Sequence, residues 1–324
     1  MNYKIIQERL ATGGFALSVA FIVATAGWFM PAGMQHISSP HPWGSLSFLS
    51  DTLRSALGYA LLLLAAILLR TVNARHAIIR IHSTIYISLF LLFATLVQPH
   101  TFQSGGVLAC SVLGMLLFLF YSYQQSNPVD SVFHGFLCYG VGCLFFPPWL
   151  LMLPFLIWMQ AGLHGFTLRT FCAVLLGTLL PFWFLLGYAA AVGQFSLFTG
   201  LCEEAIHFAP IDYTSISLLE WIELGFLAVT AVWSSLCYAG NSYLDKLRTR
   251  SCIYYFMELM ALVCLFLLLQ PQYYDVLIVL VALLSAMLAG HYFAVTRTRG
   301  SFVALLVVLA SLITFYILTL WIRL

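Results

Sequence analysis

The chain has 324 residues, 62% hydrophobic and 7% charged, with a formal net charge of +2 and a mean hydropathy of +1.00. So few charges cannot cover the surface of a water-soluble domain of this size, and a chain that is 16% aromatic is not a disordered one. Apolar runs of membrane-crossing length recur from end to end, and they are continuous rather than alternating, which excludes a β-barrel.

The expected fold class is therefore all-α: a polytopic transmembrane bundle of about 11 helices forming one integral membrane domain over 1–324. Met1 to Thr12 is a short polar start. The apolar segment behind it is too long for a signal-peptide core and lacks a cleavage site, so it reads as an uncleaved anchor. Predicted spans follow at 13–33, 55–71, 78–97, 105–123, 131–146, 148–163, 170–191, 216–238, 252–270, 273–293 and 302–322.

With the N-terminus in the cytoplasm, Lys4, Arg9, Arg70, Arg75, Arg80, Arg169, Lys246, Arg248, Arg250, Arg297 and Arg299 all fall inside, leaving only Arg54 and Arg323 of the 13 basic residues outside. That asymmetry is the positive-inside pattern of a multi-pass membrane protein. Asp51, Glu203, Glu204, Asp212 and Asp275 fall on the outer side. The two longest outer loops, 34–54 and 195–215, mix aromatic and polar residues and read as short interfacial amphipathic pieces. Seven of the eight cysteines lie in or beside apolar spans and read as small buried hydrophobes, while Cys202 has no loop partner. There is no internal repeat and no second domain.

The stretch CLFFPPWLLMLPFLIWMQ, from Cys143 to Gln160, carries Pro147 and Pro148 side by side. Each removes a backbone donor and disfavours helix before it, so the pair ends one helix and starts another. Two short arms result, either a tight hairpin or a re-entrant pair whose turn lines a cavity. Gly135, Gly140 and Gly142 permit close packing of the first arm.

The order of an outer proline turn (LVQPHTFQSGG), a span ending in FLFYSYQQSNPVD, the break LFFPPWLLMLPFLIW, a cytoplasmic LHGFTLRTF and the proline-bearing span LLGTLLPFWFLLGY resembles an uncharacterised family of inner-membrane proteins from Bacteroidota. More distantly, residues 10–190 resemble the transmembrane module of GT-C type glycosyltransferases, with 216–322 as additional helices. That resemblance implies a polyprenyl-phosphate-linked sugar, handled at the outer face, as substrate or partner beside membrane lipids. Where those enzymes carry an acidic pair in the first outer loop, this chain offers Asp51 alone, with Arg54 one helical turn on.

On this reading Asp51 is the catalytic base or a metal-binding acid, with Glu203 and Glu204 as secondary acids. Arg54 anchors a lipid phosphate, assisted by His36, His41 or His100. Glu203 and His207 stand at i and i+4 in EEAIH, a workable ligand spacing on a helix, but it lacks the second histidine of a zinc-protease motif, and no resident metal or other cofactor is expected. The net charge of +2 says nothing about partners, and no nucleic-acid partner is expected.

Three glutamates fall within predicted membrane depth. Glu220 and Glu223, at i and i+3, share a helix face and either reach the outer headgroups, pair with Arg54 or form an acid/base or cation site. Glu258 is expected to tie helices together through Arg80 or one of His82, His134 and His291. A small transporter or channel routed past these three glutamates is the alternative function, and a non-catalytic envelope assembly subunit is another.

Overall fold

A computed structural model describes residues 3–29, 49–97, 100–164, 167–208 and 210–323. Among them there are 13 α-helices and no strand. They are α1 (Tyr3–Thr12), α2 (Gly14–Phe29), α3 (Asp51–His76), α4 (Ile85–Val97), α5 (Ser104–Leu119), α6 (Val129–Phe145), α7 (Leu153–His164), α8 (Leu168–Val192), α9 (Ser196–Ile206), α10 (Leu218–Asn241), α11 (Leu247–Leu269), α12 (Tyr274–Val295) and α13 (Arg299–Arg323). Each of the eleven predicted spans holds a helix. Seven of these are long and apolar enough to cross a membrane, and an eighth is if α1 and α2, bent by 61° at their junction, count as one span. The helices over Ile85–Val97, Val129–Phe145 and Pro147–Leu163 are apolar and shorter.

The first span thus differs from its prediction. At Gly13 the helix breaks, and Ser83 Oγ and the Thr84 amide both donate to the Ala11 carbonyl, each at 2.9 Å. A break is tolerated in apolar surroundings only when its freed carbonyls find donors. The α3–α4 loop supplies them. The bend lays α1 across one end of the bundle, where Gln7 Nε2 donates to the carbonyls of Phe293 at 3.0 Å and Thr296 at 2.8 Å.

The core is organised around α12. Its best apolar window is 94% buried, as expected of a helix that is apolar on every side and carries no polar face to show to water. It packs against α4, α5, α10 and α11. Gly290 lets α4 come in against it, since a Cβ there would lie 2.3 Å from the Tyr86 Cβ. Ser285 Oγ donates to the Leu227 carbonyl at 3.1 Å and ties α12 to α10.

A second layer is α6, held between α5 and α8. Gly140 faces the Thr178 carbonyl and Gly177 faces that of Phe133, each leaving only 2.6 Å for a Cβ. Gly135 and Gly142 make the same kind of close approach to α5. The expectation for these glycines holds.

The double proline closes α6 at Phe145 and forms a 3₁₀ turn, Pro147–Met152, that runs directly into α7. The Gln124 amide, ahead of α6, donates to the carbonyl of Leu163 near the end of α7, at 3.2 Å. The two arms therefore return to the same level, as both a hairpin and a re-entrant pair do. Tyr139 donates to the Trp149 carbonyl at 2.5 Å, replacing a helical partner at the tip, and α9 packs over the turn. The 195–215 loop accordingly contains a short helix, as expected.

Helix α10 starts with a capping box in which Ser217 and Glu220 satisfy each other's backbone amides. Ser217→Ala removes one side of it and is expected to lower stability by about 1 kcal/mol. Thermal unfolding in detergent measures this.

Candidate functional site

Two ends of the bundle differ in charge. Asp51, Glu203, Glu204, Asp212, Glu220, Glu223 and Asp275 belong to the acidic end. Contacts that gather there include Trp28 with the Ser55 carbonyl at 3.0 Å and Tyr274 with Glu223 at 3.3 Å. At the opposite, basic end the α3–α4 loop, the end of α5, the α10–α11 loop and the α12–α13 junction converge.

At the acidic end Asp51 stands in the first turn of α3, where a carboxylate suits the helix dipole, and it ion-pairs with Arg54. The structure brings these two together but commits each to the other. His100 packs at a tilt against Trp28, with ring centroids 5.4 Å apart, and its Nε2 lies 3.3 Å from the Thr95 carbonyl. His36 and His41 lie outside the described residues. Glu203 and Glu204 ride on α9. The helix ends at Ile206, so the His207 of EEAIH stands at its C-cap, where the backbone turns to an extended conformation. Among the described residues no three His, Cys, Asp or Glu side chains are placed to hold a metal. In the following loop, Asp212 accepts from the Thr214 hydroxyl at 2.6 Å and its amide at 2.9 Å, which holds the Asp212 carboxyl below its ordinary pKa.

The two glutamates on α10 divide. Glu220 turns back to cap the helix, and Glu223, buried, accepts from Tyr274. Neither has an ion pair with Arg54 among the described residues. The contact expected for Glu258 is not made. Arg80 Nη2 instead meets Asp245 Oδ1 at 2.7 Å, and His291 Nε2 lies 3.5 Å from Asp245 Oδ2. His82 is exposed, and His134 Nδ1 lies 2.8 Å from the Asp130 carbonyl on its own helix. Glu258 is exposed on α11.

At the basic end a cavity of about 480 Å³ opens between the ends of α3, α5 and α11, lined by Arg75, Tyr121, Tyr123, Gln124, Gln125, Leu247 and Arg248. Three chain segments build it. Helix α3 stops after Arg75 and His76 because Ala77 takes a left-handed conformation, φ 48°. Helix α5 tightens into a 3₁₀ turn, Phe120–Ser122, and the chain then reverses at Gln124, also left-handed at φ 56°. A non-glycine residue at positive φ stores local strain that the surrounding structure must hold in place. Here the Gln124 amide bond to Leu163 does so.

Helix α11 starts at Leu247, which lines the cavity, with Lys246 as its N-cap and no side-chain cap. Buried His76 fixes the direction of Arg248. Its Nε2 lies 3.0 Å from the Leu117 carbonyl, an acceptor, so that nitrogen carries the hydrogen. Its Nδ1 is then the acceptor for Arg248 Nη2 at 3.0 Å, and the same Nη2 also reaches the Phe120 carbonyl at 3.4 Å. One guanidinium nitrogen is thereby anchored, while Nη1 and Nε have no bond to a described residue. Arg75 donates to the Tyr121 hydroxyl at 3.5 Å.

This arrangement presents two cations, two tyrosines beside them and two glutamines as donors. It suits an anion with several oxygens, above all a phosphate. Sequence reasoning placed both arginines on the inner side without joining them. The signals were present in NARH at the end of α3 and FYSYQQ at the end of α5, where polar and aromatic residues cluster at the mouth of apolar helices. Comparison of the chain with family models finds no match, nor do comparisons with curated proteins and with solved structures.

Proposed function

We propose that this chain is a multi-pass protein of the bacterial inner membrane, N-terminus inside, that binds a phosphate-bearing lipid at its cytoplasmic mouth through Arg75 and Arg248. The observation that carries the reading is the anchoring of Arg248 by a histidine whose tautomer is set by a backbone carbonyl. A guanidinium held in place before the ligand arrives loses little freedom on binding. The positive-inside rule sets the orientation. Basic pockets between transmembrane helices on that side suit anionic headgroups.

The resemblance to GT-C type enzymes contributes the ligand class, a polyprenyl phosphate, whose chain would lie along the apolar helices while its phosphate sits between the arginines. It had placed the phosphate anchor at the outer end. There Arg54 and Asp51 neutralise one another, so the proposal keeps the ligand and not the transfer step.

The test is calorimetric titration of the detergent-solubilised protein with a short-chain polyprenyl phosphate, the corresponding polyprenol and inorganic phosphate. The polyprenyl phosphate is expected to bind and the alcohol is not. Arg248→Ala is expected to weaken binding at least tenfold, about 1.4 kcal/mol or more, and raised salt to weaken it further. Equal affinity for wild type and Arg248→Ala, or for phosphate and alcohol, would refute the proposal.

A further inference from the structure

Glu258 sits midway along α11, between Leu247 at one end and Leu269 at the other. At 1.5 Å per residue that is about 16 Å from either end, beyond the reach of a glutamate side chain. Among the described residues it makes no hydrogen bond and no ion pair, and it faces outward. The other outward faces of the bundle are apolar at comparable depth: Leu179 and Trp183 on α8, Val229 and Trp233 on α10, Ile313 on α13. These are what a helix shows to lipid. A carboxyl group has no place there, because hydrocarbon offers it neither donor nor acceptor.

The outward face of α11 has a definite pattern. Leu247, Tyr254, Glu258, Ala261, Leu265 and Leu268 are exposed and Ser251, which continues the series, is half-buried. The steps between them alternate four and three along the whole helix, while most residues on either side are buried or half-buried, with Arg248 and Leu269 exposed at the two ends. That is the narrow seam of a helix pair rather than a broad lipid face. Ala261, one turn from Glu258, is small enough to admit a neighbouring helix closely.

The nature of that neighbour follows from what Glu258 needs. A cation at mid-depth would serve, but the Lys and Arg of this chain lie toward the helix ends and loops. A protonated carboxyl, in contrast, carries one donor and one acceptor and complements a copy of itself. We propose that the α11 seam is a two-fold interface at which a second copy of this chain docks, with the two Glu258 carboxyls hydrogen-bonded to each other across the axis. An isologous contact puts each residue of such a seam opposite itself or its near neighbours, and it closes at two subunits. The inference does not depend on the phosphate-binding reading, since of the seam residues only Leu247, at its end, also lines the basic cavity.

The experiment combines mass and proximity on the full-length protein. Native mass spectrometry or light scattering in nanodiscs is expected to show a dimer. Glu258→Gln, which keeps a donor and an acceptor, is expected to retain it. Glu258→Leu is expected to raise the dissociation constant about tenfold. A photo-crosslinking amino acid introduced at position 265 or 268 in otherwise wild-type protein is expected to give a dimer adduct in native membranes, and one at exposed position 236 on α10 is expected to give none. This arm reads out even if Glu258→Leu folds poorly. A wild-type monomer, a dimer indifferent to Glu258→Leu, or adducts at 265 and 268 of a mass that fits only a different protein would each overturn the proposal.

Discussion

Gly290→Val is expected to destabilise the fold by about 3 kcal/mol or more, at the upper end of what overpacking costs. A Cβ at this position would stand 2.3 Å from the Cβ of Tyr86, 2.6 Å from its Cα and 3.0 Å from its amide nitrogen. Two of those three atoms are backbone, so no rotamer change relieves the clash and α4 must retreat from α12. The displacement would not stay local. The Tyr86 hydroxyl receives Asn73 Nδ2 at 3.3 Å, and Asn73 Oδ1 accepts the Ile79 amide at 2.8 Å, so Tyr86 also holds the turn that ends α3. Arg75 and His76 belong to that turn. The substitution should therefore weaken ligand binding as well as lower the unfolding temperature. Gly225→Ala is the control. Its site on α10 has nothing within 4 Å, and replacing a helical glycine there should leave stability unchanged or raise it by up to about 1 kcal/mol. Equal unfolding temperatures for Gly290→Val and wild type in detergent would show that α4 and α12 do not meet as described.

The positions of the helices were legible because each is a continuous apolar block, and the charge asymmetry between the two ends was legible because Lys and Arg concentrate in the same set of loops. The centrality of α12 was not. Its sequence, YDVLIVLVALLSAMLAGHYFAV, is no more apolar in kind than that of α13, VALLVVLASLITFYIL, yet the first is enclosed by protein and the second largely exposed. Lipid and protein interior are equally apolar, so hydropathy cannot tell them apart. Small residues can, and Gly290 was the available signal. The kink at Gly13 was hidden for another reason, since the donors that make it tolerable, Ser83 and Thr84, come from a distant loop.

The basic cavity was hidden in the same way. Arg75, Tyr121 and Arg248 end or begin three different helices, and only packing brings those ends together. Glu258 was recognised as an isolated acid. A helix so uniformly apolar carries no polar face from which its direction could be read, and its outward orientation emerged only with the bundle.

Arg80→Ala is expected to cost about 3 kcal/mol, while Asp245→Asn costs about 1 kcal/mol. The asymmetry follows from exposure. The Asp245 side chain is 8% exposed and that of Arg80 is 40% exposed. Removing the arginine leaves a carboxylate in a nearly closed site with no cation beside it among the described residues, facing His291 at 3.5 Å and the Tyr238 hydroxyl, whose ring packs edge-on against His291. Removing the carboxylate's charge leaves an arginine that already reaches solvent and can hydrate further. The partial exposure of Arg80 places its loss at the lower end of the range for breaking a buried pair. Adding Asp245→Asn to Arg80→Ala should therefore recover most of the lost stability, because the stranded charge is gone. That recovery is the decisive measurement, made as a double-mutant cycle of unfolding free energies. Two equal, small single effects with no coupling would mean the pair behaves as an ordinary surface contact. A consequence for binding follows from chain geometry. Asp245 closes the loop that leads through Lys246 into the first turn of α11, where Arg248 reaches His76. With Asp245 released, that turn loses its anchor. Arg80→Ala should then weaken phosphate binding although Arg80 does not line the cavity, and the double variant that recovers stability should not recover binding.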